Sequence, residues 1–293
     1  MNVRPLTSDD LPAIAEFLAR DEERLTGKPS RIVAADVREW TSLADLEHDS
    51  WLAEDEAGIA AVSWMHSSND LGIAIVAVSL GAQTSGIGNE FVELTERRAR
   101  AHGAARMHQF ALGPDTYARD LLTSLGYEDV RHFYDMAIEL KERPELMDVE
   151  IESLRPEEAE AFHDALDAAF QDHWEHHSRP FAEWWERHFS NPDLDLSLWF
   201  LIRSDGKIAA VARNEANRNG GGYVGALGVR REFRGRGYAK ALLYRTFAEF
   251  WDRGLPRVTL GVDATNPTGA THLYESVGMH VEAENIVFEK ALA

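Results

Sequence analysis

YVGALGVRREFRGRGYAKALLYRTFAEFWDR, residues 223–253, is the stretch whose reading decides the fold. It opens on a short apolar run containing Val224, Ala226, Leu227 and Val229, the length of a buried strand. It closes as an amphipathic helix with Leu242, Leu243, Phe247, Phe250 and Trp251 at helical spacing. Between them Arg234-Gly235-Arg236-Gly237-Tyr238-Ala239 makes a glycine-bearing turn that opens directly into the helix. Amides at a helix start have no intrahelical acceptor, and the helix dipole adds partial positive charge there. Gly235 and Gly237 let a ligand approach main chain that a Cβ would obstruct. Arg230, Arg231, Arg234 and Arg236 crowd the same turn, which reads as a cradle for a diphosphate. Two other phosphate turns do not fit: a dinucleotide fingerprint needs a third glycine where the chain has Lys240, and a P-loop ends in Gly-Lys-Ser/Thr.

The Arg-x-x-Gly-x-Ala pattern at 234–239, following a strand that ends in Val229, resembles the acetyl-CoA pyrophosphate motif of the GNAT superfamily of N-acetyltransferases. Downstream, Asn266-Pro-Thr-Gly-Ala-Thr-His-Leu-Tyr274-Glu-Ser-Val-Gly278-Met279 resembles the second motif of that superfamily, an Asn followed by Leu-Tyr-x-x-x-Gly-Phe. Met279 stands where Phe is usual, and the Asn-to-Tyr spacing is one residue longer than the commonest form. The resemblance implies an α/β (α+β) fold, a mixed and mostly antiparallel sheet flanked by helices, and acetyl transfer from acetyl-CoA to an amine. It implies that backbone around Leu227, Gly228 and Val229 holds the pantetheine and the thioester, with the pyrophosphate over the amides from Arg234 to Ala239. Asn266 would bond the pantetheine arm. Tyr274 would be the general acid for the departing thiolate, since a phenol of pKa about 10 is protonated at neutral pH.

A second pattern emerges when the chain is slid along itself by 151 residues. Val78 then falls on Val229, Gln83 on Arg234, Gly86 on Gly237, Gly88 on Ala239 and Gly103 on Gly254. The chain therefore reads as two tandem GNAT-like domains, 1–143 and 144–293, joined at the charged, proline-bearing Lys141–Glu145. With one further residue of slip Gly126-Tyr127 falls on Gly278-Met279, and the first half then has Leu122 in the register of Tyr274, Gly113-Pro114-Asp115 around that of Asn266, and none of the turn's arginines. It is expected to be degenerate and catalytically silent, its turn Gln83-x-x-Gly86-x-Gly88 serving a second coenzyme A, the half forming one wall of the acceptor site, or the half giving structural support alone. In this tandem arrangement the chain resembles the mycothiol synthase-like acetyltransferases.

The general base is not legible. Some members of the superfamily place a glutamate on the splayed strand, but Tyr223 to Gly228 contains none. Glu215 is the candidate base, acting through water; a water chain alone is the alternative. Acceptor-lining candidates are His173, Trp174 and His176, in the aromatic-rich stretch from Phe170 to Trp185. His173, His176 and His177 could also be read as metal ligands, but no second matched cluster accompanies them and the implied chemistry needs no metal.

Thirty basic against fifty acidic residues leave a net charge of -20, which disfavours nucleic acid and anionic membranes as partners. A negative surround favours a cationic acceptor, such as a small-molecule amine. The absence of cysteine excludes disulfides, thiolate metal sites and a covalent route through cysteine. With no stretch of eighteen apolar residues and no apolar leader, a cytoplasmic monomer or homodimer is expected. Two other functions share these motifs: a non-catalytic acyl-CoA-binding or regulatory protein, and an acyltransferase with a longer acyl donor or a hydroxyl acceptor.

Overall fold

The computed structural model describes residues 1–189, 191, 194–218, 220–265 and 269–292. The chain forms two compact units, one of Met1–Tyr134 with Ala283–Ala293 and one of Asp135–Glu282. No helix among the described residues is long and apolar enough to cross a membrane.

In the first unit the chain runs through β1 (Asn2–Arg4), α1 (Leu11–Thr26), α2 (Ala34–Thr41), β2 (Ser50–Asp55), β3 (Gly58–Ser68), β4 (Leu71–Val78), α3 (Ile87–Ala101), β5 (Arg106–Leu112) and α4 (Thr116–Ser124). The strands follow the order β1-β2-β3-β4-β5, and β5 is then flanked by the chain's last strand, β12 (His280–Ala291). Pairing is antiparallel except between β4 and β5, parallel from Leu71–Arg106 to Ala74–Gln109. The period-2 alternation of β3 divides its side chains between two helical layers. Val62 and Trp64 meet Leu11, Ile14, Phe17 and Val37 of α1 and α2, while Met65 joins Val92, Ala99, Ala118 and Leu122 of α3 and α4.

The second unit takes residues 135–139 of β6 (Glu128–Glu139), then β7 (Glu152–Ser153), α5 (Ala159–Phe170), α6 (Phe181–Phe189), β8 (Phe200–Ser204), β9 (Lys207–Arg218), β10 (Gly221–Val229), α7 (Tyr238–Asp252), β11 (Arg257–Asp263) and α8 (Ala270–Ser276). Its strand order is β6-β11-β10-β9-β8-β7. Phe200, Ile202, Ala210 and Ala212 pack against Ala241 and Leu242 of α7, and α5 covers β9 and β10. The 151-residue repeat is visible in the backbone: α3 and α7 are each 15 residues long and follow Gly86 and Gly237, at φ 86° and 80°. Both glycines lie in the left-handed region that side chains rarely adopt, which is why the turn retains glycine at that place in both halves.

The expected halves, 1–143 and 144–293, differ from these units in the placing of two strand segments. Residues 135–139 belong to the second unit, and Asn285–Ala291 pair antiparallel with Leu112–Arg106 in the first. Periodicity reports that a segment is a strand, not which strand it pairs with. The charged stretch after β6 is tied to the second unit, where Leu140 donates to the Pro256 carbonyl (2.8 Å) and Arg143 pairs with Asp252 (2.8 Å).

In the second unit β10 crosses α7 at Gly222, where a Cβ would overlap the ring of Phe250, itself fully buried. Gly222→Ala should therefore lower stability by about 1–3 kcal/mol through overpacking. The check is a urea unfolding midpoint that falls while the slope m stays unchanged.

Candidate cofactor and acceptor site

Strand β10 pairs with parallel β11 only at Gly222–Val258 and Tyr223–Thr259. Among the described residues no pairing of the two continues beyond Tyr223, so Val224 to Val229 are held by β9 alone. A register shift between Val224 and Ala226 marks a bulge at Gly225, and a bulge re-aims the strand that carries it. A Cβ on Gly225 would lie 2.9 Å from Arg213 Nη2 and 3.0 Å from Glu215 Oε1. Leu227, Gly228 and Val229 thus occupy a strand with one edge lacking a strand partner. Gly228 also carries the end of α5, for its Cβ would sit 2.7 Å from Ala169 Cβ and 3.3 Å from the Phe170 ring.

Beyond β10 a short turn, Arg231–Phe233, buries Phe233 and leads through exposed Gly235 and Gly237 into α7. Amides of Tyr238, Ala239 and Lys240 lie in the first turn of a helix, where no intrahelical acceptor exists, and Gly237 has no side chain to cap them. Amides so placed can bind an anion, and the dipole of a 15-residue helix adds to that capacity. Arg231, Arg234 and Arg236 have partners of their own. Arg234 donates to the carbonyls of Val229 (3.2 Å) and Ala169 (3.2 Å) and pairs with Asp172 (3.1 Å), which Arg231 also holds (2.5 Å). Arg236 lies over the Phe233 ring (5.1 Å) and near Ser204 Oγ (3.3 Å) and Asp205 (3.6 Å).

Tyr274 of α8 is buried, at 8% exposure, and burial pushes its phenol well above the ordinary range, with Tyr223 adding to the effect. Tyr223 sits where β10 leaves β11, its ring under the Arg218 guanidinium (4.4 Å) and its hydroxyl 3.7 Å from where a Cβ on Gly261 would be. Burial raises this phenol too, against the opposing pull of Arg218. Sequence reasoning read Tyr223 only as the start of a strand; its placement depends on β11, which is remote in the chain. Glu215 stands between Arg213 (2.6 Å) and Arg218 (2.9 Å). Burial would raise its carboxyl, but the two guanidiniums outweigh burial and hold it below the usual range. With both oxygens engaged it is a weak proton acceptor, which argues against the base role expected of it. Asn266 lies outside the described residues.

On the α5 side, the His173 ring is 5.5 Å from Phe170, and its Nδ1 lies 3.0 Å from the Trp174 carbonyl. His176 Nε2 lies 3.0 Å from Asp167, whose other oxygen accepts from Ser178 Oγ (2.8 Å). His173, Trp174 and His176 are all half-buried. Helix α6 adds a set of aromatic rings not read as site residues: Trp184 lies 4.6 Å from His188 and 4.9 Å from His163, and His188 is 5.5 Å from Trp199. The signal available was the density of aromatics in Phe181–Phe189. Burial, with Arg213 and Arg187 nearby, pushes His188 down to about 3.

The first unit repeats the turn with different surroundings. Gln83 and left-handed Gly86 precede α3, but a Cβ on Gly88 would collide with the Tyr117 hydroxyl and lie 2.9 Å from Leu121 of α4. Gly88 therefore serves close helix packing, and the space beside that helix start is filled by α4.

Residues 159–279 match the acetyltransferase (GNAT) family, a span that includes β10, the turn and Tyr274. Over 246 residues the chain is 25% identical to a mycothiol acetyltransferase of Paenarthrobacter aurescens, covering 80% of this chain and 74% of that protein. A GCN5-related N-acetyltransferase of Sphaerobacter thermophilus is 28% identical and superposes with a TM-score of 0.85 over 99% of this chain and 95% of its own. A tandem GNAT protein from the clavulanic acid biosynthesis pathway shares the fold at 12% identity, with a TM-score of 0.72 over 100% and 98% of the two chains. Residues 159–279 are an acetyltransferase domain of the GNAT family, and the chain that carries it is an acyltransferase.

Proposed function

We propose that the chain is an N-acetyltransferase that moves an acetyl group from acetyl-CoA to a primary amine of a small molecule by direct attack, its second half, 144–293, being the catalytic one. The observation that carries this reading is a single juxtaposition: β10 loses its partner after Tyr223, and the same strand leads into an open glycine turn at the start of α7. A strand edge and a row of helix-start amides suit a ligand that is amide-bearing at one end and a diphosphate at the other. Coenzyme A has both, and its thioester supplies the acyl group. Leu227, Gly228 and Val229 would hold the amide-bearing arm, Gly235 to Ala239 the diphosphate.

In the transfer the amine lone pair forms a bond to the acyl carbon, the carbon–sulfur bond breaks, and the amine gives up a proton. Tyr274 would supply the proton that the leaving thiolate needs. Its burial keeps it in the protonated form at neutral pH, as an acid must be before the step. With Glu215 held by two arginines, the amine proton would pass to water or to an imidazole of the α5–α6 segment. The ring wall of Trp184, Trp185 and neutral His188 would give the acceptor side an apolar face. Close packing at Gly88 supports one coenzyme A per chain rather than two.

Calorimetric titration should return one acetyl-CoA per chain for the wild type. Ala239→Glu places a carboxylate in the first turn of α7, which the dipole tolerates but a diphosphate does not. It should weaken acetyl-CoA binding at least about tenfold, roughly 1.4 kcal/mol, with the melting temperature unchanged. Wild type that binds no coenzyme A would end this reading.

Tyr274→Phe keeps the buried ring and removes the acid. Thiol release with an accepted amine should fall by about 100-fold or more while acetyl-CoA affinity holds; an unaltered rate would remove Tyr274 from the chemistry and favour a merely binding role.

His188 gives a pH signature. Its folded pKa of about 3 lies below the ordinary value of about 6.5. Between the two the unfolded chain takes up a proton that the folded chain refuses. This contribution is therefore full above about pH 6.5 and is lost as pH falls towards 3, by up to about 1.4 kcal/mol per pH unit. Urea midpoints at pH 7, 5.5 and 4.5 should decline less steeply for His188→Gln than for the wild type.

A further inference from the structure

Four contacts gather the end of α5 onto the turn before α7. Arg231 pairs with Asp172 Oδ1 (2.5 Å) and Arg234 with Oδ2 (3.1 Å), so one carboxylate bridges two guanidiniums. The same Arg234 donates to Ala169 O, in the last turn of α5, and to Val229 O, at the last residue of β10. One side chain therefore joins helix end, strand end and turn. Below these contacts the missing Cβ of Gly228 lets Ala169 and Phe170 lie directly on β10.

We infer that Asp172 is a positioning residue that couples the segment 170–178 to the turn before α7. The inference rests on reading that turn as the coenzyme A site. Beyond Phe170, the last residue of α5, the segment so held is neither helix nor strand, and Glu175 within it has a φ of 54°. Turn hydrogen bonds from His173 N–H to Phe170 O (2.8 Å) and from His176 N–H to His173 O (3.1 Å) shape it, and Asp167 holds His176 and Ser178; the Asp172 ion pairs are what tie it to the turn before α7. It also bears His173. A carbonyl can only accept, so the bond to Trp174 O places a proton on Nδ1. The rings of His173 and Phe170 are neighbours, and Phe170 touches the Gly228 position, so the coupling sets where this imidazole stands relative to β10. A diphosphate drawn onto the amides of α7 would bear on Arg231 and Arg234, and through Asp172 on the acceptor side.

The test is hydrogen exchange of the full chain, read on peptides spanning 170–178, in the wild type, Asp172→Asn and Asp172→Glu, with coenzyme A as the probe and calorimetry to report its binding. Without ligand, Asp172→Asn should speed exchange in this segment by about tenfold, and Asp172→Glu, which keeps the charge, should retain most of the protection. Saturating coenzyme A should change exchange there in the wild type and leave it unchanged in Asp172→Asn, although both proteins bind. Equal exchange in the wild type and Asp172→Asn without ligand would overturn the inference whatever coenzyme A does. A ligand response of equal size in both would overturn the coupling. Failure of the wild type to bind coenzyme A would overturn the cofactor reading and with it the coupling; the ligand-free comparison would still decide whether Asp172 anchors the segment.

Discussion

The parting of β10 from β11 beyond Tyr223 is the constraint on which the proposed cofactor site depends. A strand inside a sheet satisfies its amides and carbonyls on both edges; one that leaves its neighbour must find other partners. Here the departure is built in. The bulge at Gly225 bends the strand, Tyr223 occupies the point of separation over Gly261, and α5 seats itself on Gly228. The first unit begins its parallel pair in the same way, at Leu71–Arg106, and carries it to Ala74–Gln109.

Charge is used sparingly around this opening. In a chain of net charge -20, the arginines nearest the strand and turn share carboxylates two to one: Arg213 and Arg218 on Glu215, Arg231 and Arg234 on Asp172. The row of amides at α7 adds to this positive charge, at positions that are set by the helix and do not depend on flexible side chains. Internal pairing also restrains the arginines, holding the turn in place before a ligand arrives, which reduces the ordering cost of binding.

The two halves show how one skeleton supports different contents. Each has a left-handed glycine before a 15-residue helix. In the first half Gly88 admits Tyr117 and Leu121 against the helix start, whereas the second has Ala239 there, half-buried, in an open turn. Fold is retained by both, and the space for a ligand is argued for one.

The strand, glycine turn and helix of 223–253, and their echo 151 residues earlier, were legible in the sequence because apolar periodicity and left-handed glycine are local properties of the chain. So were the mixed sheet with flanking helices and the difference between Tyr274 and Leu122. Local patterns do not record which groups meet. That 135–139 and 285–291 pair as they do, that Arg234 binds carbonyls of Val229 and Ala169, that Glu215 lies between two arginines and that Tyr223 marks the end of pairing all depend on residues distant in the chain. The sequence by itself determined the scaffold and the kinds of residue near the turn; only the tertiary structure decided which of their charges, phenols and amides were already engaged, because hydrogen bonding and burial are settled by neighbours that periodicity does not see.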